Sequence, residues 1–295
     1  MSRLTANDFQ PEVLRLFDQY VHGDISRRGF LDRAAGVAGS ASAAVAVLAA
    51  LSPKFAQAQQ IAPNDARLQT RFQMFDSPQG NGKVRAYIAK PAAATGKLPV
   101  VLVIHENRGL NPHIEDIARR LALDGFLAVA PDALYSLGGY PGDEDKAREL
   151  FSRLDPGRTI QDFLVCARIL LTLPEGTGRL GAVGFCYGGS VTNILATQVP
   201  ELAAAVPFYG GQPKAQDVPA IRSPLLIHYA GVDERINAGW PVYEAALKAA
   251  GTRYQAFVYE GVQHGFNNDT TPRFDADAAR LAWQRTLAFL KTHLA

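Results

Sequence analysis

Residues 180–198 read LGAVGFCYGGSVTNILATQ, and this stretch decides the fold. An apolar run ends at Phe185, a cysteine follows between glycines, and a helix-like run begins at Tyr187. The pattern Gly184-x-Cys186-x-Gly188 is typical of a strand-to-helix turn that carries a nucleophile, here cysteine where serine is usual. A sharp turn lifts that side chain above a sheet, and the amino end of the following helix favours a thiolate.

The rest of the chain alternates strand-like and helix-like segments. The run LPVVLVIHE at 98–106 is rich in β-branched residues, as in a strand that is buried on both faces of a parallel sheet. The residues around 79–82 predict a hairpin before it. The alternation therefore predicts a mostly parallel central sheet with helices on both faces and an N-terminal hairpin. Together with the nucleophile turn at 184–188, this indicates an α/β-hydrolase fold. Further strands are predicted at 126–132, 179–185, 202–210, 224–233 and 254–261, and helices at 114–125, 143–154, 159–173, 187–198, 240–251 and 275–294.

Functional groups in such sheets lie at the carboxyl ends of strands, and four reactive side chains occupy these positions. Cys186 is followed after 47 residues by Asp233 and after 31 more by His264. Nucleophile, acid, histidine is the chain order of the α/β-hydrolase triad. His264 would take the thiol proton and Asp233 would orient the imidazole. Glu106, after the first central strand, adds a fourth ionisable group to the predicted catalytic residues.

Two backbone N–H groups are candidates for an oxyanion hole. Tyr187 follows the nucleophile directly, and Asn107 follows the first central strand. The sequence leaves ordinary structural roles open for the reactive residues as well. Cys186 is also compatible with core packing, Asp233 with a turn or helix cap, His264 with a loop, and Glu106 with a cap or a surface carboxylate.

The other cysteine and histidines indicate structural positions. Cys166 lies on the apolar face of the helix predicted at 159–173 and is expected in the core. His228 is expected in the core or a pocket wall, His105 on the sheet face opposite Glu106, and His113 at a helix start. No metal site is predicted, because these residues lack ligand spacing along the chain.

Composition excludes several classes of partner and cofactor. The 295 residues carry a formal net charge of +2, so no basic field for nucleic acid is present. Neither the phosphate-binding pattern GxxxxGK[ST] nor GxGxxG after a strand occurs, so the sequence indicates no nucleotide cofactor. No other cofactor is predicted. Two cysteines give no disulfide framework.

The N-terminal residues predict an export signal, residues 1–58, followed by a polar linker, 59–70, and a catalytic domain, 71–295. Arg27 and Arg28 precede an Ala- and Gly-rich run that ends at Ala56-Gln57-Ala58, a small-x-small cleavage pattern. This is similar to a twin-arginine signal, which implies the export machinery as a partner and a periplasmic or secreted location. An N-terminal helix of a cytoplasmic enzyme is the alternative. The run has too many small residues for a stable membrane anchor.

From about residue 72 onward the chain resembles the dienelactone hydrolase family of α/β-hydrolases, the carboxymethylenebutenolidases. The matching pieces are HENRGL with Glu106, GFCYGG with Cys186, GVDERIN with Asp233 and HGF with His264. The resemblance implies a cofactor-independent hydrolase of a small-molecule ester or lactone that forms a thioester on Cys186. It also implies that Glu106 pairs with the resting thiol and deprotonates it when substrate binds.

The chain departs from the family where substrate is held. Two arginines of the family, which grip a substrate carboxylate, fall near Glu144 and Asn268 in this sequence. The residues expected to line the substrate site are Arg108, Tyr140, Arg148, Tyr209, Arg235, Trp240 and Phe266. Two other functions stay open: a thiol-transfer or redox protein that uses Cys186, and a binding protein that has lost catalysis on this fold.

Overall fold

The computed structural model describes residues 3–295, apart from the side chain of Gln57. An eight-stranded sheet forms the centre, with strand order β1-β2-β4-β3-β5-β6-β7-β8. The strands are β1 (Leu68–Ser77), β2 (Gly82–Pro91), β3 (Leu98–Ile104), β4 (Leu127–Pro131), β5 (Gly176–Phe185), β6 (Ala204–Phe208), β7 (Leu225–Val232) and β8 (Tyr254–Gln263). The helices are α1 (Pro11–His22), α2 (Arg27–Ala38), α3 (Ala41–Leu51), α4 (Phe55–Ala58), α5 (Pro112–Leu123), α6 (Glu144–Ser152), α7 (Pro156–Leu171), α8 (Tyr187–Gln198), α9 (Glu234–Asn237), α10 (Trp240–Ala249) and α11 (Ala276–Leu294).

The sheet has the predicted mixture of directions. β1 and β2 form an antiparallel hairpin in which Ser77 faces Gly82, and β2 is antiparallel to β4. Strands β4, β3, β5, β6, β7 and β8 run parallel. Their carboxyl ends therefore meet at one edge, where the loops that carry the predicted reactive residues begin.

Helices cover both faces of the sheet, so the central strands are apolar on both sides. Leu102, Ile104 and Ala182 point into one layer, and Val101, Val103 and Val183 into the other. Each buried aliphatic side chain of this kind stabilises the fold by about 1.5–3 kcal/mol relative to exposure. The predicted α/β-hydrolase fold is confirmed. Cys166 is fully buried in the first layer, as predicted.

The N-terminal residues form a helical unit with its own apolar cluster. α1 buries one side, including Val13, Phe17 and Tyr20, against Phe30 of α2 and Leu48 of α3. Pro11 begins α1, Gly23 ends it in the left-handed region (φ 89°), and Ser26 and Ser40 cap α2 and α3. Residues 3–58 are called the N-terminal segment below.

The N-terminal segment packs on the catalytic domain. The Lys54 N–H donates to the Thr270 carbonyl at 2.8 Å. The predicted linker is also held, because the Ile61 N–H donates to Asp116 Oδ1 at 2.8 Å. The linker was predicted to end at residue 70, but β1 already begins at Leu68. Met1 and Ser2 of the predicted signal lie outside the described residues.

The apolar helices of the N-terminal segment, α2 and α3, are short and meet at a sharp bend. Within residues 3–295, no single helix combines the length and the apolarity that crossing a membrane requires. α2 and α3 reach that combination only as a pair, and the chain bends by 112° between them.

Candidate active site

The nucleophile turn has the geometry that its glycines predict. Cys186 adopts φ 55° and ψ −112°, a region that non-glycine residues rarely enter. Its N–H donates to the Phe208 carbonyl at 3.0 Å, which ties the turn to β6. A Cβ at Gly184 would overlap the Gly188 carbonyl, and a Cβ at Gly188 would stand 2.7 Å from the His105 carbonyl oxygen. The turn therefore needs both glycines.

Asp233 and His264 meet above the carboxyl ends of β7 and β8. His264 Nδ1 lies 2.6 Å from Asp233 Oδ2, and both side chains are buried. The other oxygen of Asp233 caps α9 by accepting from the Ile236 N–H at 3.4 Å. Asp233 therefore fills both roles that the sequence allowed: one oxygen caps a helix and the other contacts His264.

The sulfur of Cys186 lies between two imidazoles. Its ligand atom and those of His22 and His264 all lie within 4.8 Å of one another. His264 Nε2 is buried and has no hydrogen-bond partner among the described residues. His22 Nε2 stands 3.5 Å from Cys186 Sγ. A His/Cys/His group of this spacing could hold a metal ion, which ligand spacing along the chain did not indicate.

The electrostatics of this group favour a thiolate beside an imidazolium. Burial opposes ionisation of Cys186, yet the charge of His264 and the contact with His22 outweigh it and lower the pKa of the thiol to about 6. Burial likewise disfavours a charged His264, but the sulfur and Asp233 raise its pKa to about 10. By contrast, burial raises the pKa of Cys166 far above the ordinary thiol value.

The predicted oxyanion donors lie beside the sulfur. Tyr187 is the first residue of α8, where N–H groups have no partner within the helix. Asn107 lines the same cavities as Cys186. The Asn107 side chain is engaged elsewhere, because its Nδ2 donates to the Val21 carbonyl of the N-terminal segment at 2.8 Å.

Glu106 contacts an amide rather than the cysteine. Its Oε2 accepts a hydrogen bond from Asn268 Nδ2 at 2.8 Å, and both residues line the cavity that reaches Cys186. Asn268, which stands where the family's arginine was expected, thus holds the carboxylate in the wall of the site. The Asn268 Oδ1 is itself fixed by the Thr270 hydroxyl at 2.6 Å.

The three arginines expected at the substrate site all contact the N-terminal segment. Arg108 donates to the Val21 carbonyl at 3.2 Å and lies 3.7 Å from Glu144. Arg148 donates to the Tyr20 carbonyl at 2.8 Å, and Arg235 Nη2 lies 2.9 Å from His22 Nε2. These cations are therefore already paired in this structure.

The aromatic residues expected around the substrate divide into two groups. Tyr140 lines the cavity at Cys186 and donates to Glu144 Oε1 at 2.9 Å. Tyr209 lines a second cavity at Cys186, and its buried hydroxyl has no partner among the described residues. Two placements are corrected: Trp240 packs on Tyr229 at 5.2 Å between ring centres, and Phe266 is fully buried behind Tyr209, so neither lines these cavities. Both aromatic side chains are used for packing.

The remaining histidines have structural environments, as predicted. His228 is buried within β7 beside Tyr259, and burial lowers its pKa to about 3. His105 accepts the Ala133 N–H at 3.2 Å. His113 lies in the first turn of α5, 3.2 Å from Asp269.

The sequence did not predict His22. It lies in the stretch that was interpreted as an export signal, 164 positions from Cys186. The sequence nevertheless contains a pattern that could have revealed this helix. Apolar residues recur at helical spacing between Pro11 and Gly23, which is typical of an amphipathic helix that ends at a histidine.

Comparison with known proteins agrees with the fold. The model of the dienelactone hydrolase family matches residues 84–294. The chain belongs to the dienelactone hydrolase family. It is therefore a hydrolase of the carboxylic ester and lactone class, as the motifs predicted. A second family model, described as YqhI-like, matches residues 1–38.

Relatives of this dienelactone hydrolase family member extend over most of the chain. A protein of Escherichia coli O157:H7, named as a carboxymethylenebutenolidase, is 34% identical over 231 residues, 73% of this chain and 85% of the relative. A hydrolase fragment of Escherichia coli K12, YghX, is 50% identical over 113 residues, 38% of this chain and 97% of the fragment. A crystal structure named as a dienelactone hydrolase of Klebsiella pneumoniae is 30% identical with a TM-score of 0.67, covering 76% of this chain and 98% of its own.

Proposed function

We propose that this protein hydrolyses an ester or lactone through a thioester on Cys186, without a cofactor. The observation that carries the proposal is the position of Cys186 on its strained turn, with His264 beside the sulfur and Asp233 2.6 Å from the far nitrogen of that ring. A thiolate at the amino end of a helix, next to an imidazolium, is an activated nucleophile.

The proposed reaction has two balanced halves. The thiolate of Cys186 forms a bond to the carbonyl carbon, and the carbonyl π electrons move to oxygen, beside the N–H groups of Tyr187 and Asn107. That oxyanion then collapses, the bond to the leaving oxygen breaks, and His264 gives its proton to the alcohol. Water next adds to the thioester while His264 takes one proton. The carbon–sulfur bond breaks, so the acid leaves and the thiolate returns.

Glu106 is proposed as the auxiliary carboxylate of this site. In the family its counterpart is thought to deprotonate the thiol, but here Asn268 holds it and two imidazoles already stand near the sulfur. We infer that Glu106 acts mainly as a fixed negative wall of the cavity. Replacing Asn268 with leucine would release the carboxylate toward the sulfur.

The charges around the cavity support a neutral substrate. Glu106 and Glu144 both line it, while Arg108 lies against Glu144 and the Val21 carbonyl. Arg27 and Arg273 also line the cavity, but they are paired with Asp145 and Asp18. A substrate carboxylate would therefore be buried beside cations that already have partners, and an uncompensated buried charge typically costs several kcal/mol. We expect a higher kcat/KM for a methyl ester than for the matched free acid whose carboxylate lies far from the scissile bond. A clear preference for the acid would refute this assignment of charge.

The thioester is tested by mass spectrometry. A reaction with an aryl ester is quenched in acid during its burst, and the acyl mass is expected on the peptide that holds Cys186, with Cys166 unmodified. The matched control is Cys166→Ala, which should still acylate. An unacylated Cys186 with normal turnover would refute the mechanism. Ester binding without turnover would favour the binding protein, and disulfide exchange at Cys186 would favour thiol transfer.

Export by the twin-arginine route stays a prediction. Arg28 has a side chain that is 92% exposed, which supports access by an export receptor. Arg27 pairs with Asp145, and Phe30 is fully buried, which oppose such access in the folded protein. A cytoplasmic location is the alternative.

A further inference from the structure

The first helix of the N-terminal segment ends inside the active site. Its last residue is His22, whose side chain is only 10% exposed. The imidazole lies edge-on to that of His264, with ring centres 4.7 Å apart, and its Nε2 is 3.5 Å from Cys186 Sγ. A second histidine therefore faces the nucleophile, in contact with the histidine of the predicted triad.

The end of α1 is fixed by specific contacts. Carbonyl groups in the last turn of a helix lack partners within the helix, and cations stabilise that end. Here the Val21 carbonyl accepts from Asn107 and Arg108, and the Tyr20 carbonyl accepts from Arg148. These partners belong to the loop after β3 and to α6, which line the active site. The position of the helix end is thus set by the same residues that shape the substrate cavity.

Asp18 orients the imidazole of His22 through both its carbonyl and its carboxylate. Nδ1 donates to the Asp18 carbonyl at 2.8 Å and lies 3.3 Å from Asp18 Oδ1, and that carboxylate is in turn 3.2 Å from Arg273. This arrangement repeats the one at His264, where Asp233 holds Nδ1 and leaves the other nitrogen near the sulfur. In both rings the carboxylate favours a charged imidazole.

The N-terminal segment leaves room for a substrate. Two cavities of about 330 Å³ each lie beside His22, and Cys186 lines both of them. Volumes of this size hold small ligands. One cavity carries the carboxylate of Glu106 and the other the hydroxyl of Tyr209. The segment therefore covers the nucleophile without filling the site, which is what a working cap requires.

We propose that the N-terminal segment is a working part of the active site and that His22 is a further catalytic residue, which donates a hydrogen bond from Nε2 to the Cys186 thiolate. This inference rests on the proposed function, since it assigns a second donor to the same nucleophile. The thiol proton itself goes to His264, and His22 keeps its own proton throughout. The acyl and leaving groups would occupy the two cavities on either side of the imidazole.

Several charged groups face His22. Burial disfavours its charged form, but the hydrogen bond with Asp18 and the sulfur of Cys186 outweigh burial and raise its pKa. The His264 charge opposes this increase. Arg235 opposes it too, because its guanidinium lies 2.9 Å from Nε2 and can donate only to an unprotonated ring nitrogen. Arg235 is exposed to solvent, which weakens its effect, whereas Asp18 is held by Arg273, so the carboxylate outweighs the guanidinium.

The test is the pH dependence of Cys186 alkylation by iodoacetamide, followed on the Cys186 peptide by mass spectrometry. His22→Leu removes the donor, and the pH at which alkylation of Cys186 reaches half its maximal rate is expected to rise by about one to two units. This pH is called the midpoint. His22→Gln keeps a neutral donor and should show a smaller rise. His293→Gln, on α11 and outside both cavities, is the matched control and should not shift. A His22→Leu midpoint equal to that of the wild type would overturn the proposal.

For the same variants, activity on an aryl ester and the thermal unfolding temperature are also measured. We expect kcat/KM at pH 7 to fall about tenfold or more in His22→Leu. A chain that starts at Gln59 should show the same upward shift, and a gain of activity would overturn the proposal by making the segment an inhibitory cover. If His22→Leu or the shortened chain unfolds, Asp18→Asn replaces it, and an unshifted midpoint there would also overturn the idea. Alkylation needs no acyl transfer, so failure to acylate the wild type refutes the proposed function separately.

Discussion

Replacing Gly188 with alanine should damage both the nucleophile turn and the reaction. A Cβ there would lie 2.7 Å from the His105 carbonyl oxygen and closer still to that of Ile104. Carbon and oxygen need over 3 Å, so α8 and the end of β3 must separate by roughly 1 Å. Both obstacles are backbone atoms, and neither can rotate away. Overpacking of this kind lowers the free energy of unfolding by about 1–3 kcal/mol, and we expect the upper end.

The same displacement moves the sulfur away from its partners. Because Cys186 precedes α8 directly, a 1 Å shift is expected to lower kcat by up to about 10²-fold. Urea unfolding and an aryl esterase assay measure the two effects. The control is Gly36→Ala in α2, where a Cβ meets no atom within 4 Å, and helix propensity predicts a gain of about 0.5–1 kcal/mol. A Gly188→Ala protein with unchanged unfolding midpoint and turnover would refute this account of the turn.

Three further predictions concern the reaction and the N-terminal arginines. The rate constant kcat/KM should rise through about pH 6 as Cys186 ionises and fall near about pH 10 as His264 loses its proton, and a profile flat between pH 5 and 8 would contradict the ion pair. His264→Ala and Asp233→Ala should lose far more in kcat than in substrate affinity, because both residues act on the transition state; near-normal turnover would remove either from the mechanism. Replacing Arg27 and Arg28 with lysine should keep an exported reporter in the cytoplasm, and continued export would argue against the twin-arginine route.

The parts of the site that could be predicted lie where local rules operate. The nucleophile turn is specified by five consecutive residues, 184–188, and its strained cysteine follows from the glycines on either side. Asp233 and His264 follow from the rule that loops at the carboxyl ends of parallel strands converge. Their contact was therefore expected from their positions after strands and from the chain order of the triad.

The partners of the other charges could not be predicted, because they depend on contacts between distant loops. Glu106 was expected beside the thiol, but Asn268, 162 positions away, holds its carboxylate. The three arginines were expected to be free for substrate, yet carbonyls and an imidazole of the N-terminal segment engage them. The Ala- and Gly-rich run was interpreted as part of an export signal. The amphipathic α1 before that run packs Phe17 and Tyr20 on Phe30, a contact that composition does not show.

The two interpretations of the N-terminal segment have opposite consequences for catalysis. Cleavage after Ala58 would remove His22 and Asp18, free Arg148 and Arg235 and leave Arg108 with Glu144, so the mature protein would bind anions better and ionise its cysteine less readily. Retention would keep the second imidazole and the neutral cavity. The intact mass of protein recovered from its own cells decides between them. If the mass corresponds to a chain starting at Gln59, His22 cannot take part in turnover and anionic substrates become the better class to test. A full-length mass would leave the thiolate between two histidines.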